Sequence, residues 1–402
     1  MTSKVIGFSA NVERLQPSAT IAVSTLAKRL RSEGRDVIDL SAGEPDFPTP
    51  EWICDAAVQG IRDGMTRYTP AAGTTELRQA IARSLSELAG REMDWNGVVV
   101  STGAKQCLFN ACFSLFGPGD EVLVASPYWT SYPEIVTLSR AESVIVPGDP
   151  ARDLKLTPRE LEAGWSERTR GLIFSSPCNP TGAVYSTEEL TAIAEWARER
   201  GVWLIADEIY RPIYFGEDAG DAAGLLDVPE SSLGPFVLVD GASKAYAMTG
   251  WRIGFSWCDP EVAKQFTALQ SHVTSNAATP SQVAALEAYR DRGRAREAIA
   301  GMRDAFRRRR DLVVHLFDEL LPEMAYVYPR GAFYLFFRVD SALGGDVADA
   351  TAFCSWLLEE TGVALVPGAA FGDDRFARLS FATSDDVLED GIRRIARAIR
   401  GR

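Results

Sequence analysis

The stretch GLIFSSPCNPTGAVYSTEELTAIAEWARERGVWLIADEIY, residues 171–210, decides the fold. It opens on GLIFSSP (171–177) and closes near VWLIADE (202–208), two strand-length runs that are apolar nearly throughout, as strands covered on both faces are. Between them STEELTAIAEWARERG (186–201) reads as a helix, with Ser186 and Glu189 at capping-box spacing and Gly201 as the stop. The same alternation continues outward. EVLVASP (121–127), SVIVP (143–147), FVLVDG (236–241) and RIGFSW (252–257) predict further strands, and AKQCLFNACFSLFG (104–117) predicts a helix closed by Gly117 and Pro118. Strand and helix in turn imply an α/β domain built on a mainly parallel sheet.

From about Arg294 the texture changes to a long charged helix, GAFYLFFRV, a helix near 351–361, VALVP, FARLSFA and a final helix. This predicts a second, smaller α+β domain joined by the N-terminal segment. The expected division is residues 1–48 with the small domain, 49–295 as the large domain and 296–402 as the C-terminal small domain.

The 402 residues, 46% of them apolar, can bury a substantial core. A net charge of −13 argues against nucleic acid or an anionic membrane as the main partner. The basic run Arg307 to Arg310 interrupts a helical stretch and reads as a solvated face. Six cysteines without metal or CxxC spacing predict free thiols in a reducing compartment, and no stretch reaches the roughly 20 apolar residues of a membrane helix. A cytoplasmic protein is expected. His272 and His315 are the only histidines, so metal or triad chemistry has almost nothing to work with, and no metal is expected.

Ligands of doubly wound sheets collect at the carboxyl ends of the strands. There the sequence places Cys178-Asn179-Pro180-Thr181-Gly182, Asp207-Glu208-Ile209-Tyr210 and Ser243-Lys244, while Arg252 is read as the start of the next strand. Each has a plainer meaning alone. Asn179 to Gly182 has the composition of a turn, Asp207 could cap a helix or pair with Arg211, Lys244 could be a surface lysine and Arg252 a salt-bridge partner. Together they bring an amide, a carboxylate, a phenol, an amine and a guanidinium to one rim.

NPTG, DEIY and SKAYAMTGWRIG, in this order, resemble the class I aminotransferases of pyridoxal-phosphate (PLP) fold type I. The similarity extends through SAGEPDFPTP (41–50), RYTPAAGTTELR (67–78), STGAKQCLFN, SPYWTSYPE, PGAAFG and RLSFA, and is closest to the bacterial aspartate aminotransferase subgroup. It implies a seven-stranded, mainly parallel sheet and a homodimer with shared active sites. It also implies PLP as cofactor, with Lys244 as its Schiff-base lysine and proton carrier. Asp207 would face the pyridine nitrogen, Tyr210 and Asn179 the phenolic oxygen, and Arg252 the phosphate together with the amides of Gly103, Ala104 and Lys105. Tyr68 would reach the phosphate from the neighbouring subunit and Trp129 would lie on the ring, core packing being the alternative for both. Arg378 matches the clamp for the substrate α-carboxylate, and Gly43 would let backbone approach it.

Two departures stand out. Gly241 occupies a position where many relatives carry a phosphate-binding hydroxyl, and Cys178 places a thiol before Asn179, oxidisable if it lies near the ring. The implied reaction is transamination, with aspartate and 2-oxoglutarate as the favoured pair; aromatic, kynurenine or prephenate transamination and β-lysis are the alternatives. A regulator built on this fold needs a DNA-binding module, and nothing basic and helix-turn-helix-like precedes residue 40. Ser271 to Asn276 offers no arginine for a second carboxylate, so the resemblance assigns that part to Lys105, helped by hydroxyls in Pro17-Ser18-Ala19-Thr20; a mere helix-start lysine is the alternative. Gln16 stands where some prephenate-using relatives carry a basic residue.

Overall fold

The computed structural model describes residues 7–17, 19–216 and 220–401. Among them the strands, in chain order, are β1 (Ile38–Asp39), β2 (Val98–Ser101), β3 (Glu121–Ser126), β4 (Glu142–Pro147), β5 (Thr169–Ser175), β6 (Trp203–Asp207) and β7 (Phe236–Gly241). They continue with β8 (Gly254–Trp257), β9 (Tyr326–Val327), β10 (Tyr334–Arg338), β11 (Val363–Ala364), β12 (Val366–Pro367) and β13 (Phe376–Ser380). A seven-stranded sheet in the order β2-β8-β7-β6-β5-β3-β4 is parallel except for β8, which runs against both neighbours.

Alternation along these strands sends side chains to two apolar layers. Val99, Val122, Val124, Ile173, Ile205 and Val237 share one layer with Leu108 of the helix Ala104–Leu115 and with Phe266. Leu123, Leu172 and Leu204 face the other, against Leu190 and Ile193 of the helix Thr187–Arg200. Full burial of each such side chain contributes roughly 1.5–3 kcal/mol, so both faces hold the sheet. That is why these strands read as unbroken apolar runs. Asp207 has the parity of Ile205 and therefore emerges, at the carboxyl end of β6, on the face that the Ala104–Leu115 helix covers.

The helix between β5 and β6 is capped as its sequence predicts, with Ser186 and Glu189 in a reciprocal box and Gly201 left-handed at its end. A four-stranded antiparallel sheet, β12-β13-β10-β9, forms the smaller unit with the helices Arg292–Leu320, Ala350–Thr361 and Asp385–Arg400. VALVP divides between two sheets, because β11 pairs with β1 while β12 pairs with β13. Ala27, Leu30 and Val37 pack on Leu358 and Ala364, which ties the N-terminal segment to this unit.

Two expectations are corrected, and one alternative falls away. Arg252 does not begin β8: it sits in a turn at φ +57°, and the strand starts at Gly254. Arg307 to Arg310 is no plain solvated face. Arg309 makes paired bonds of 2.7 and 2.8 Å to Asp46, and the buried Arg310 donates to the Pro329 carbonyl at 3.1 Å between the rings of Phe215 and Tyr328. Asp207 does not pair with Arg211, which turns to Glu208 and Asp227 instead. No described helix is long and apolar enough to cross a membrane.

Candidate active site

A cavity of about 480 Å³ opens where the carboxyl ends of β5, β6 and β7 meet the smaller sheet. Lys28, Lys105, Lys244, Arg252 and Arg378 line it, against the acidic Glu44 and Asp207. Lys244 lies on the short helix Ala242–Ala245 that follows β7, and its amine donates to the Gly43 carbonyl at 2.5 Å. Burial pulls its pKa down to about 8; Glu44 opposes the shift, and Arg378 and Arg252 add to it. Asp207 is 4% exposed, and burial raises its carboxyl to about 6. Tyr132 limits that rise by donating its hydroxyl to Oδ2 at 2.8 Å, as does the Ile209 amide at Oδ1, 3.2 Å away.

Arg378 occupies the middle of β13, flanked by β10 and β12, so its backbone is fixed from both sides. Its side chain is 2% exposed. Nη1 donates to Asn179 Oδ1 at 2.9 Å, Nη2 donates to the Ser41 carbonyl at 2.7 Å, and Nε is buried without a partner among the described residues. The guanidinium carbon lies 4.3 Å from the ring centre of Tyr334, whose hydroxyl is 2.7 Å from that of Tyr210. Burial drives the Tyr210 phenol well up, so it stays a neutral hydrogen-bond donor.

At the other end, Arg252 donates to the Thr249 carbonyl at 2.9 Å and reaches the Thr102 carbonyl at 3.5 Å. Gly103 precedes the Ala104–Leu115 helix at φ +84°, and a Cβ there would fall 2.4 Å from Arg252 Nη2. The Gly103 amide is already given to the Ser101 carbonyl at 2.8 Å, a correction to the expected trio of amides; Ala104 and Lys105 line the cavity, and their amides, in the first turn of the helix, have no intrahelical acceptor. Lys105 Nζ lies 4.9 Å from the Trp129 ring centre, and desolvation, with Arg252 nearby, lowers its pKa.

The cavity therefore gathers Gly43, Ala104, Lys105, Trp129, Asn179, Asp207, Tyr210, Lys244, Arg252 and Arg378. Gly103 stands just behind the wall. Tyr68 is 89% exposed and outside the cavity of its own chain. Ser18 and the side chain of Thr20 lie outside the described residues, and Gln16 does not line the cavity; its backbone amide donates to Glu134. Cys178 turns away from the site, with Sγ 3.6 Å from the Pro127 carbonyl, and burial raises its thiol, which disfavours the reactive thiolate expected of an oxidisable group near the ring. Sequence reasoning gave no part to Tyr132, Tyr334, Glu44 or Thr249, nor to Ile21, Ser24, Thr25 and Lys28, all of which line the cavity. Tyr132 lay inside the quoted SPYWTSYPE, but nothing in its spacing marked it as the partner of Asp207.

These residues suit pyridoxal phosphate. One cavity offers an amine for its aldehyde, a buried carboxylate for its ring nitrogen, and two first-turn amides beside Arg252 for its phosphate. Gly254 has no room for a Cβ, which would fall 2.2 Å from the Ala104 nitrogen, so the cradle requires its glycine.

The family model for aminotransferase class I and II matches residues 35–395. An aspartate aminotransferase of Streptomyces avermitilis is 41% identical, over 97% of this chain and 96% of its own. A probable aspartate/prephenate aminotransferase of Aquifex aeolicus is 42% identical, over 98% of both. The solved aspartate aminotransferase of Thermus thermophilus with maleate superposes with a TM-score of 0.91 at 38% identity, covering 98% of this chain and 99% of its own. From the amine, the carboxylate and the cradle to these full-length matches, the chain belongs to the class I and II aminotransferases, enzymes that depend on pyridoxal phosphate.

Proposed function

We propose that this enzyme transfers the amino group of L-aspartate to 2-oxoglutarate in two half-reactions at the cavity of Lys244. The observation that carries the reading is a buried arginine, Arg378, and a second cation, Lys105, lining one cavity with Lys244. A four-carbon diacid has two carboxylates to place there. The names of the Streptomyces and Thermus relatives support aspartate, and maleate, seen with the latter, is also a four-carbon diacid.

When bound, pyridoxal phosphate supplies an electron sink for the bond broken at the substrate's Cα. Lys244 would hold its aldehyde and, as a free amine, would carry the proton taken from the substrate's Cα. Its lowered pKa makes the neutral amine accessible near pH 8. Asp207, its orientation fixed by Tyr132, would keep the ring nitrogen protonated. Tyr210 and the amide of Asn179 would donate to the phenolic oxygen, Trp129 would lie on the ring, and Arg252 with the Ala104 and Lys105 amides would hold the phosphate. Arg378 grips the α-carboxylate, where its unpaired Nε can also donate, and Gly43 lets the backbone lie close.

The active enzyme is read as a homodimer in which Tyr68, turned to solvent in the single chain, serves the phosphate of the other subunit. The chain is read as residues 1–48 and 296–402 closing on 49–295, with the helix Arg292–Leu320 running through the junction. Six free cysteines fit a cytoplasmic setting. Prephenate is the second reading, supported by the name of the Aquifex relative.

The test is Lys105→Ser. Loss of a partner for the distal carboxylate should lower kcat/KM for aspartate and glutamate by roughly 10–100-fold, with phenylalanine changed far less. Equal losses for acidic and uncharged substrates would remove Lys105 from substrate recognition. Prephenate in the same panel separates the second reading.

A further inference from the structure

The segment Arg67 to Thr74 contains neither helix nor strand, yet it carries Tyr68, 89% exposed. Loops of this kind move unless something ties them. Here buried side chains of two helices tie it. Gln282, 1% exposed on the helix Thr279–Arg290, accepts the Thr74 amide at Oε1 (2.9 Å) and donates from Nε2 to Thr69 Oγ1 (3.0 Å) and the Ala277 carbonyl (2.7 Å). Thr279 of the same helix donates its hydroxyl to the Arg67 carbonyl at 2.6 Å.

Gln270, fully buried on the helix Pro260–Val273, donates from Nε2 to the carbonyls of Ala71 (2.5 Å) and Val100 (2.8 Å). Its Oε1 accepts from Ser101 and Asn110 at 2.6 and 2.9 Å. The loop is also pressed onto β2: Val100 donates to the Ala72 carbonyl at 2.9 Å, and a Cβ on Gly73, at φ +100°, would fall 2.8 Å from Val100 Cβ. A buried amide bonded at both its oxygen and its nitrogen fixes what it holds, because any shift leaves a polar group unpaired. Val100 and Ser101 lead directly into Thr102, Gly103 and the helix at the phosphate end of the cavity, so Gln270 joins the chain's own cradle to the loop it presents outward.

We infer that Gln282, Thr279 and Gln270 are positioning residues which hold the Tyr68 loop of one subunit in the shape that serves the cofactor phosphate of the other. The inference rests on the shared-site reading proposed above. It makes the effect of Gln282 and Thr279 act across the dimer.

The test uses hybrid dimers, isolated through two different affinity tags, in which one subunit carries Lys244→Ala. Only the other site then gives the visible absorbance that needs Lys244, and the pyridoxal phosphate concentration that half-saturates this signal is measured. Gln282→Leu placed on the Lys244→Ala subunit should raise that concentration about tenfold, whereas placed on the Lys244 subunit it should change it less than about twofold. Thr279→Val, a milder change, should show the same dependence on side, and serves if Gln282→Leu fails to fold. A rise that is equal on both sides, confined to the Lys244 subunit, or absent overturns the inference. Tyr68→Phe separates the two ideas. If it acts within its own subunit, the shared-site reading falls and the inference with it; if it acts across the dimer while Gln282→Leu and Thr279→Val are silent, only the inference falls.

Discussion

The amine of Lys244 and the carboxyl of Asp207 are displaced toward each other by burial, one down to about 8 and the other up to about 6. In cofactor-free protein, labelling of Lys244 by trinitrobenzenesulfonate, followed by peptide mapping, should reach half its maximal rate near pH 8; a midpoint at the ordinary lysine value of ~10.4 would show an amine in ordinary solvent. Between about 8 and ~10.4 the unfolded chain holds a proton that the folded protein has released, so this residue's contribution to stability rises with pH across that window. Arg378→Lys keeps a charge but loses the planar fork that reaches both Asn179 and Ser41. Aspartate and 2-oxoglutarate should each lose roughly 10–100-fold in kcat/KM with the cofactor retained; unchanged kinetics would place Arg378 outside the substrate site. Lys244, Asp207 and Asn179 were legible because polar residues follow apolar runs at strand ends, whereas Arg378, in the middle of β13, was legible only through the family resemblance. Tyr132 and Tyr334 were not, since a buried tyrosine looks the same in sequence whether its hydroxyl meets a catalytic carboxylate or a core carbonyl.

Strands β7 and β8 cross at a pair of glycines, Gly241 opposite Gly254. A Cβ on Gly241 would lie 2.7 Å from Gly254 Cα and 2.8 Å from the Ile253 carbonyl oxygen, both backbone atoms that cannot yield locally. A side chain at this position therefore has no room between the two strands. Gly241→Ser should therefore destabilise the protein by about 1–3 kcal/mol, the usual range for overpacking, and lower Tm without tightening cofactor binding. An unchanged Tm with tighter cofactor would show that the strands part easily. Helices with caps and strands with apolar runs were legible to within a residue or two. Arg252 was misplaced because Arg-Ile-Gly-Phe continues the pattern of a strand, while the left-handed turn at Arg252 leaves no mark in a non-glycine residue. Arg309 and Arg310 were misread because their partners, Asp46 and the Pro329 carbonyl, are remote in sequence or lie on the backbone.

The whole molecule carries a net charge of −13, yet its cavity is lined by five basic side chains and two acidic ones. Opposed fields of this kind repel anions at large and concentrate them at one mouth, which suits diacids entering and leaving in alternation. The α/β class was legible from alternation alone, and the smaller sheet from the change of texture near Arg294. The surface was not. Val58, Ile61, Met65 and Val273 are between 44% and 51% exposed, and Tyr68 more so, but no periodicity in the sequence announces an outward-facing apolar residue. The most direct measurement of the central claim follows the nitrogen itself. Holoenzyme given L-[15N]aspartate and 2-oxoglutarate should yield [15N]glutamate in step with oxaloacetate, and Lys244→Ala, still folded, should yield essentially none. Label appearing as free ammonia, or glutamate forming at an undiminished rate in the variant, would contradict transamination at Lys244.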